Sequence, residues 1–109
     1  MAGASGTPLA AKLGIREGAT LALLDAPTGL RLELPSSVIV KSQARGKADV
    51  VVAFFTRVAK LEQRLDSLGP MVFPSGALWI AWPKKTSGMV TDVTDNSVRN
   101  VALHRGLVP

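Results

Sequence analysis

The sequence predicts an α/β protein of the three-layer, Rossmann-like type, in which helices cover both faces of a mainly parallel four-stranded sheet. Short apolar runs without alternation, such as "ADVVVAFF", are typical of strands that are buried on both faces. Helical patterns stand between or after these runs, so the strands are joined by crossovers and point the same way. Of the 109 residues, 47% are hydrophobic, which is enough for the core of one domain.

The start of the chain is predicted to hold a flexible tail and a short helix. Residues 1–6 are small, and residues 7–109 are assigned to a single domain. Thr7 and Pro8 are typical of the N-cap and the first position of a helix, and Gly14 is typical of a helix end.

Four apolar runs predict the strands. They are Leu21–Leu24, Val38–Ser42, Ala48–Phe55 and Ala77–Trp82. The third run has three valines in succession, which requires packing partners on both faces of the sheet.

Two amphipathic helices are predicted, one after the third strand and one after the fourth. In the first, apolar residues recur at spacings of three and four over residues 58–68. Thr56 is a candidate N-cap of this helix, and Gly69–Pro70 is expected to end it. For the second helix, Thr94 is a candidate N-cap, and the helix reaches His104.

Composition excludes several kinds of chemistry. With no cysteine, the chain has no disulfide, no thiolate zinc site and no cysteine nucleophile, and it suits a reducing compartment. The one histidine, His104, argues against a histidine metal site or a catalytic triad, and no carboxylates are paired at a spacing for acid–base catalysis. We therefore predict no metal and no catalytic residue, and lean toward a protein that is not an enzyme.

Neither a membrane nor a nucleic acid is expected as a partner. No apolar stretch reaches the roughly 20 residues that a membrane span needs. The start of the chain lacks the pattern of a secretion signal, so a cytoplasmic location is predicted. The net charge of +5 favours small anions, but apart from Lys84–Lys85 the basic residues are scattered, unlike the basic stripe of a nucleic-acid surface.

The predicted binding site lies beyond the carboxyl ends of the strands, where open parallel sheets hold their ligands. The candidate ligand-binding residues are Asp25, Ala26 and Pro27 after the first strand, Thr56 after the third, and Lys84, Lys85, Ser87, Gly88 and Asp92 after the fourth. The turn at 84–88 offers lysine charge, a hydroxyl and a glycine that lets backbone amides approach an anion. The alternatives are a solvated loop for this turn, and turn or cap roles for the two aspartates.

The glycine pattern argues against a nucleotide site of the usual kinds. After the first strand the sequence reads "LLDAPTGLR", which lacks the G-x-G-x-x-G that brings a backbone close to a pyrophosphate. No G-x-x-x-x-G-K-[ST] occurs either.

Three segments carry a resemblance to a known family: "SGTPLAAKLGI", "ADVVVAFF" and "LWIAWPKKTSGMVTDVTDNSVRNVALHRGLV", with the string W-P-K-K-x-S-G…T-D…V-R…G-L-V. Over nearly its whole length the chain resembles an uncharacterised bacterial family, a domain of unknown function that looks like a reduced relative of the Rossmann-type S-adenosylmethionine-dependent methyltransferases. The resemblance implies the strand order 2-1-3-4. Because the acidic G-x-G-x-G loop of methyltransferases is missing, we predict no cofactor and keep S-adenosylmethionine as the alternative.

The implied strand order leaves the strand with both tryptophans at an edge of the sheet. Trp79 and Trp82 are three residues apart, so strand alternation sends them to opposite faces. Members of the family continue past "GLV" into further strands, so either a partner covers this edge or the chain is a truncated or divergent version. We predict a symmetric homodimer with both indoles in its interface; the alternative is that both pack under helices of one chain.

The function predicted from these observations is a non-catalytic, Rossmann-like binding or interaction module for an unknown, small anionic ligand. An S-adenosylmethionine-dependent methyltransferase with an atypical loop at Asp25–Gly29 is the first alternative. A binder of nucleotides or nucleic acids is the second.

Overall fold

Four parallel strands form the sheet at the centre of this computed structural model, which describes residues 9–28, 30, 32–73, 75–83 and 88–104. The strands are β1 (Thr20–Leu24), β2 (Ile39–Lys41), β3 (Val50–Phe54) and β4 (Ala77–Ala81). Their order is β2-β1-β3-β4, and every neighbouring pair is parallel. The predicted α/β class, the parallel sheet and the strand order are confirmed. Residues 1–6, the predicted tail, lie outside the described residues.

The two central strands are the most buried part of the sheet. In β3 the stretch Val50–Ala53 is buried throughout, and in β1 Leu21 and Ala22 are fully buried. Apolar side chains point to both faces of these strands and find packing partners on each, which explains their unbroken apolar sequences.

The order of the strands reverses between β1 and β3. From β1 the chain crosses to β2 on one side, and then returns past β1 to place β3 on its other side. The carboxyl ends of β1 and β3 therefore adjoin at a topological switch point, the place where open α/β sheets leave a crevice for a ligand.

Two helices pack on one face of the sheet. They are α2 (Val58–Val72) and α3 (Asp95–His104), and the short helix α1 (Leu9–Lys12) precedes β1. Their largest shared core contains buried residues of the sheet and of both helices: Ala22, Leu24, Ala48, Val51, Ala53, Phe55, Leu61, Leu65, Leu68, Met71, Val93 and Val101. In α3, Val101 is buried in this core and Val98 packs against it.

The opposite face has a thinner cover. Leu13 and Ile15, which follow α1, pack there with apolar residues of the segment 32–38. This segment belongs to the connection from β1 to β2, which contains Pro27 and Pro35. Proline removes a helical hydrogen bond, and the described residues of this connection (25–28, 30 and 32–38) contain turns and no helix.

Helix α2 continues through the pair Gly69–Pro70, so the prediction that this pair ends it is wrong. Pro70 lies inside the helix, which runs to Val72. The last turn is held from outside, because the Lys47 ammonium donates to the carbonyl oxygens of Pro70 at 2.8 Å and Phe73 at 3.2 Å. These bonds, with the burial of Met71, offset the hydrogen bond that proline cannot make.

Helix α3 begins where its capping residue predicts. The backbone N–H of Ser97 donates to Thr94 Oγ1 at 3.2 Å, and the N–H of Thr94 donates to Ser97 Oγ at 2.8 Å. This reciprocal pair satisfies backbone donors at the helix start. No helix among the described residues is long and apolar enough to cross a membrane.

Candidate functional site

A cavity of about 550 Å³ opens beyond the carboxyl ends of β1, β3 and β4. It is lined by Asp25, Pro27, Phe54, Phe55, Thr56, Lys60, Ala81, Trp82, Pro83 and Met89. We call it the carboxyl-edge cavity. Its volume falls within the range of sites that hold small organic ligands. It lies beyond the carboxyl ends of the strands, where the sequence predicts a site, and next to the switch point between β1 and β3.

The walls of the carboxyl-edge cavity are mainly apolar, with three polar side chains at separate points. Phe54, Trp82 and Met89 supply flat or flexible apolar surface, while Asp25, Thr56 and Lys60 supply an acid, a hydroxyl and a base. Lys60 comes from the first turn of α2, directly after β3. Such a lining suits a ligand that has an apolar ring and a polar or charged group.

Asp25 turns the chain at the end of β1 and lines the cavity. Its backbone has a φ of 57°, in the left-handed region that aspartate tolerates better than most residues. Arg64 Nη1 of α2 donates to Asp25 Oδ2 at 2.6 Å, and the Asp25 side chain remains 64% exposed. The ion pair therefore orients the carboxylate and leaves part of it open to a ligand. Left-handed residues other than glycine are concentrated at functional sites.

Asp92 has a cap role, which was the alternative to its place among the candidate ligand-binding residues, and Thr56 does not cap α2. The prediction that Thr56 is the N-cap of α2 is wrong, because Arg57 holds that position without a side-chain capping bond. Instead, Asp92 Oδ1 accepts a hydrogen bond from the N–H of Val58 at 2.8 Å. The carbonyl oxygen of Thr56 accepts from Thr91 Oγ1 at 2.8 Å, while the residue lines the cavity. Asp92 thus caps α2 from a distant part of the chain and is not among the cavity-lining residues.

We expect Asp92→Ala to lower the free energy of unfolding by about 0.5–2 kcal/mol, the usual cost of losing a helix cap. Urea unfolding followed by circular dichroism would measure it. The matched control is Asp92→Asn, whose amide oxygen can still accept from Val58, so its stability should stay close to that of the parent. Equal losses in both variants would contradict a capping role.

The remaining predicted residues divide between described and undescribed parts of the chain. Ala26 adjoins Asp25 but is not among the lining residues, and Gly88 is exposed with a φ of 82°. Lys84, Lys85 and Ser87 lie outside the described residues, so the anion-binding turn stays a prediction. Pro83 before this turn and Met89 after it both line the cavity.

The two tryptophans lie on opposite faces of the sheet. Trp82 lines the carboxyl-edge cavity and packs against the core under α2. Trp79 is 41% exposed on the other face, where its Nε1 donates to the carbonyl oxygen of Leu13 at 3.0 Å. Their predicted place in a dimer interface stays a prediction.

Sequence reasoning missed Lys60, Arg64, Phe54 and Met89. Lys60 could have been predicted as a site residue, because the first turn of a helix that follows a parallel strand faces the carboxyl edge of the sheet. Arg64 could not have been predicted from the sequence, because the pairing of residues 25 and 64 depends on how α2 packs over β1 and β3.

The described residues offer no metal site and no glycine cradle. No group of three or more His, Cys, Asp or Glu among them could hold a metal ion. After β1, the carbonyl oxygen of Pro27 accepts from the N–H of Leu30 at 3.1 Å and closes a turn. Described residues 25–28 contain no glycine, so this part of the loop does not fit the cradle that S-adenosylmethionine occupies in methyltransferases.

Comparison of the chain with protein-family models, with curated proteins and with solved structures finds no match. The resemblance to an uncharacterised bacterial family stays a prediction, and so does the fold relationship to methyltransferases. Function must therefore be argued from the cavity itself.

Proposed function

We propose that the protein is a non-catalytic, small-molecule-binding module whose ligand occupies the carboxyl-edge cavity. The observation that supports this most is the meeting of Asp25, Thr56, Lys60 and Trp82 around one cavity at the switch point of the sheet. Binding is favoured over catalysis because Asp25, the carboxylate among the described lining residues, is already paired with Arg64. Acid–base catalysis would need a partner for it within reach.

The ligand that we propose has a flat apolar ring and an anionic group. The ring packs between Trp82 and the apolar wall, where burial of apolar area stabilises the complex. The anionic group approaches Lys60, and the net charge of +5 favours its encounter with the protein. Hydroxyl or amino groups of the ligand donate to Asp25. The cytoplasmic location and the homodimer stay predictions.

Anilinonaphthalene sulfonate has this chemistry and serves as the probe. In a Trp79→Phe variant, Trp82 is the single indole and reports on the cavity by energy transfer to the bound probe. We expect saturable binding that quenches Trp82, and an affinity about fivefold or more weaker in Lys60→Gln, which is roughly 1 kcal/mol. Fluorescence titration would measure both.

The matched control is Lys12→Gln, which removes the same charge from an exposed position at the end of α1. This variant should bind the probe as the parent does. Equal affinities of the Lys60 and Lys12 variants, or binding that leaves Trp82 emission unchanged, would overturn the proposed site.

An S-adenosylmethionine-dependent methyltransferase is the second candidate, because the strand order is the one that the methyltransferase resemblance implies. A ligand at a hundred times its dissociation constant stabilises a protein by about 2.7 kcal/mol. Thermal unfolding with millimolar S-adenosylmethionine should therefore raise the Tm if this candidate is right. An unchanged Tm would remove it and leave the proposal of an anionic aromatic ligand in place.

A further inference from the structure

Met71 and Met89, the two methionines among the described residues, differ in how far solvent reaches them. Met71 is 3% exposed and belongs to the core that α2 shares with the sheet. Met89 is 58% exposed and lines the carboxyl-edge cavity. The chain has a third methionine, Met1, outside the described residues, and no cysteine that would react with an oxidant first. An oxidant in solution therefore meets the thioether of Met89 and is kept from that of Met71 by burial.

The backbone beside Met89 is fixed by bonds that do not involve its thioether. Thr91 Oγ1 donates to the carbonyl oxygen of Thr56 at 2.8 Å, and the N–H of Asp92 donates to the same oxygen at 3.3 Å. These bonds tie the segment after β4 to the end of β3, next to the cavity. Because other residues make them, they should persist when the sulfur of Met89 is chemically changed, so that Met89 stays at the cavity.

Met89 contributes to the apolar wall of the cavity and not to the core of the protein. It lines the cavity together with Phe54 and Trp82, and the two core clusters of the described residues do not include it. Oxidation turns the apolar thioether into a polar sulfoxide. A ligand ring that packs on this wall would then have to remove water from the sulfoxide oxygen, which costs free energy. Oxidation of Met89 therefore acts on the cavity and leaves the packing of the core intact.

We propose that Met89 is a site of reversible oxidation by hydrogen peroxide or an organic peroxide, and that its sulfoxide lowers the affinity of the carboxyl-edge cavity for its ligand. The sulfur lone pair attacks one peroxide oxygen, the O–O bond breaks and an S–O bond forms. The proton of the attacked oxygen moves to the leaving oxygen, which departs as water or an alcohol. Sulfur is oxidised and the peroxide is reduced; methionine sulfoxide reductases reverse the oxidation. The effect on affinity rests on the ligand site proposed above, whereas the selectivity for Met89 does not.

Peptide mapping by mass spectrometry tests the selectivity. Trypsin places the three methionines in separate peptides, which span residues 1–12, 65–84 and 86–99. After brief treatment with dilute hydrogen peroxide, stopped with catalase, we expect Met89 to be oxidised about tenfold or more faster than Met71. In urea the burial of Met71 is lost, so the two rates should approach each other. The unfolded protein thus controls for the intrinsic reactivity of the two segments.

Binding of anilinonaphthalene sulfonate before and after peroxide treatment tests the effect on affinity. We expect oxidation to weaken binding by the parent about fivefold or more and reduction by methionine sulfoxide reductases to restore it, with little change in Tm. Met89→Leu, which has no thioether at this position, should keep its own affinity through the treatment. Met71→Leu, a matched control of similar volume, should lose affinity on treatment as the parent does.

Comparable oxidation rates of Met71 and Met89 in the folded protein would overturn the selectivity. Binding that survives oxidation of Met89, or a loss in Met89→Leu as large as in the parent, would overturn the effect on affinity and leave the proposed function in place. A parent that does not bind the probe before treatment would overturn the proposed function itself, and the effect on affinity with it.

Discussion

Replacement of Leu68 by alanine is expected to lower the free energy of unfolding by about 2–5 kcal/mol. Leu68 is fully buried on α2, in the core cluster that also contains Val51 and Phe55. Truncation removes apolar contacts and leaves a cavity that the surrounding residues fill only in part. Since small domains are stable by only about 5–15 kcal/mol, this loss is a large fraction of the total. Urea unfolding, followed by circular dichroism, measures it.

The control for Leu68 is its neighbour Ser67, which is exposed on the same helix. Ser67→Ala should change stability by no more than about 0.5 kcal/mol, as is usual for surface substitutions. Similar stabilities of the two variants would show that α2 does not pack on the sheet through this residue.

Replacement of Gly76 by alanine is expected to lower the free energy of unfolding by about 1–3 kcal/mol. A Cβ at this position would lie 2.8 Å from the carbonyl oxygen of Asp49 and 2.9 Å from both Cβ and O of Val72. Two of these three atoms belong to the backbone, so moving them away from the new Cβ costs free energy. The Asp49 oxygen also accepts from Ala77 at 3.0 Å, so its displacement would disturb the first link between β3 and β4. Thermal or urea unfolding measures the loss.

The control for Gly76 is its neighbour Ser75, which is exposed. Ser75→Ala should change stability by no more than about 0.5 kcal/mol, as is usual for surface substitutions. Equal losses in the Ser75 and Gly76 variants would show that the close approach at Gly76 is not the cause of its effect.

Much of the fold could be predicted because its strands are apolar without interruption. The three valines of β3 have packing partners on both faces, and such a sequence is typical of a parallel sheet. The period of α2 and the capping residue Thr94 likewise depend on neighbours in the sequence, and both predictions hold. Sequence patterns predict these strands and helices because residues close to one another in the sequence determine them.

The errors involve residues whose partners are far away in the sequence. Lys47 bonds to the carbonyl oxygen of Pro70 in the last turn of α2, and the start of α2 is capped by Asp92 instead of Thr56. No local pattern gives either partner. The same is true of the candidate site, where the Arg64 that orients Asp25 comes from another element. The edge of the sheet that holds the cavity could be predicted, whereas the contacts around Asp25 could not.

The all-parallel arrangement has a consequence for the rate of folding. Leu21 pairs with Val50, and Val50 pairs with Ala77, so strand partners are separated by about 20 to 30 residues along the chain. None of these strand pairs is joined by a tight hairpin turn from which its hydrogen bonds could form one after another. Each pair must close a loop before any of its hydrogen bonds forms. Refolding should therefore take milliseconds to seconds, more slowly than a helical bundle of the same length.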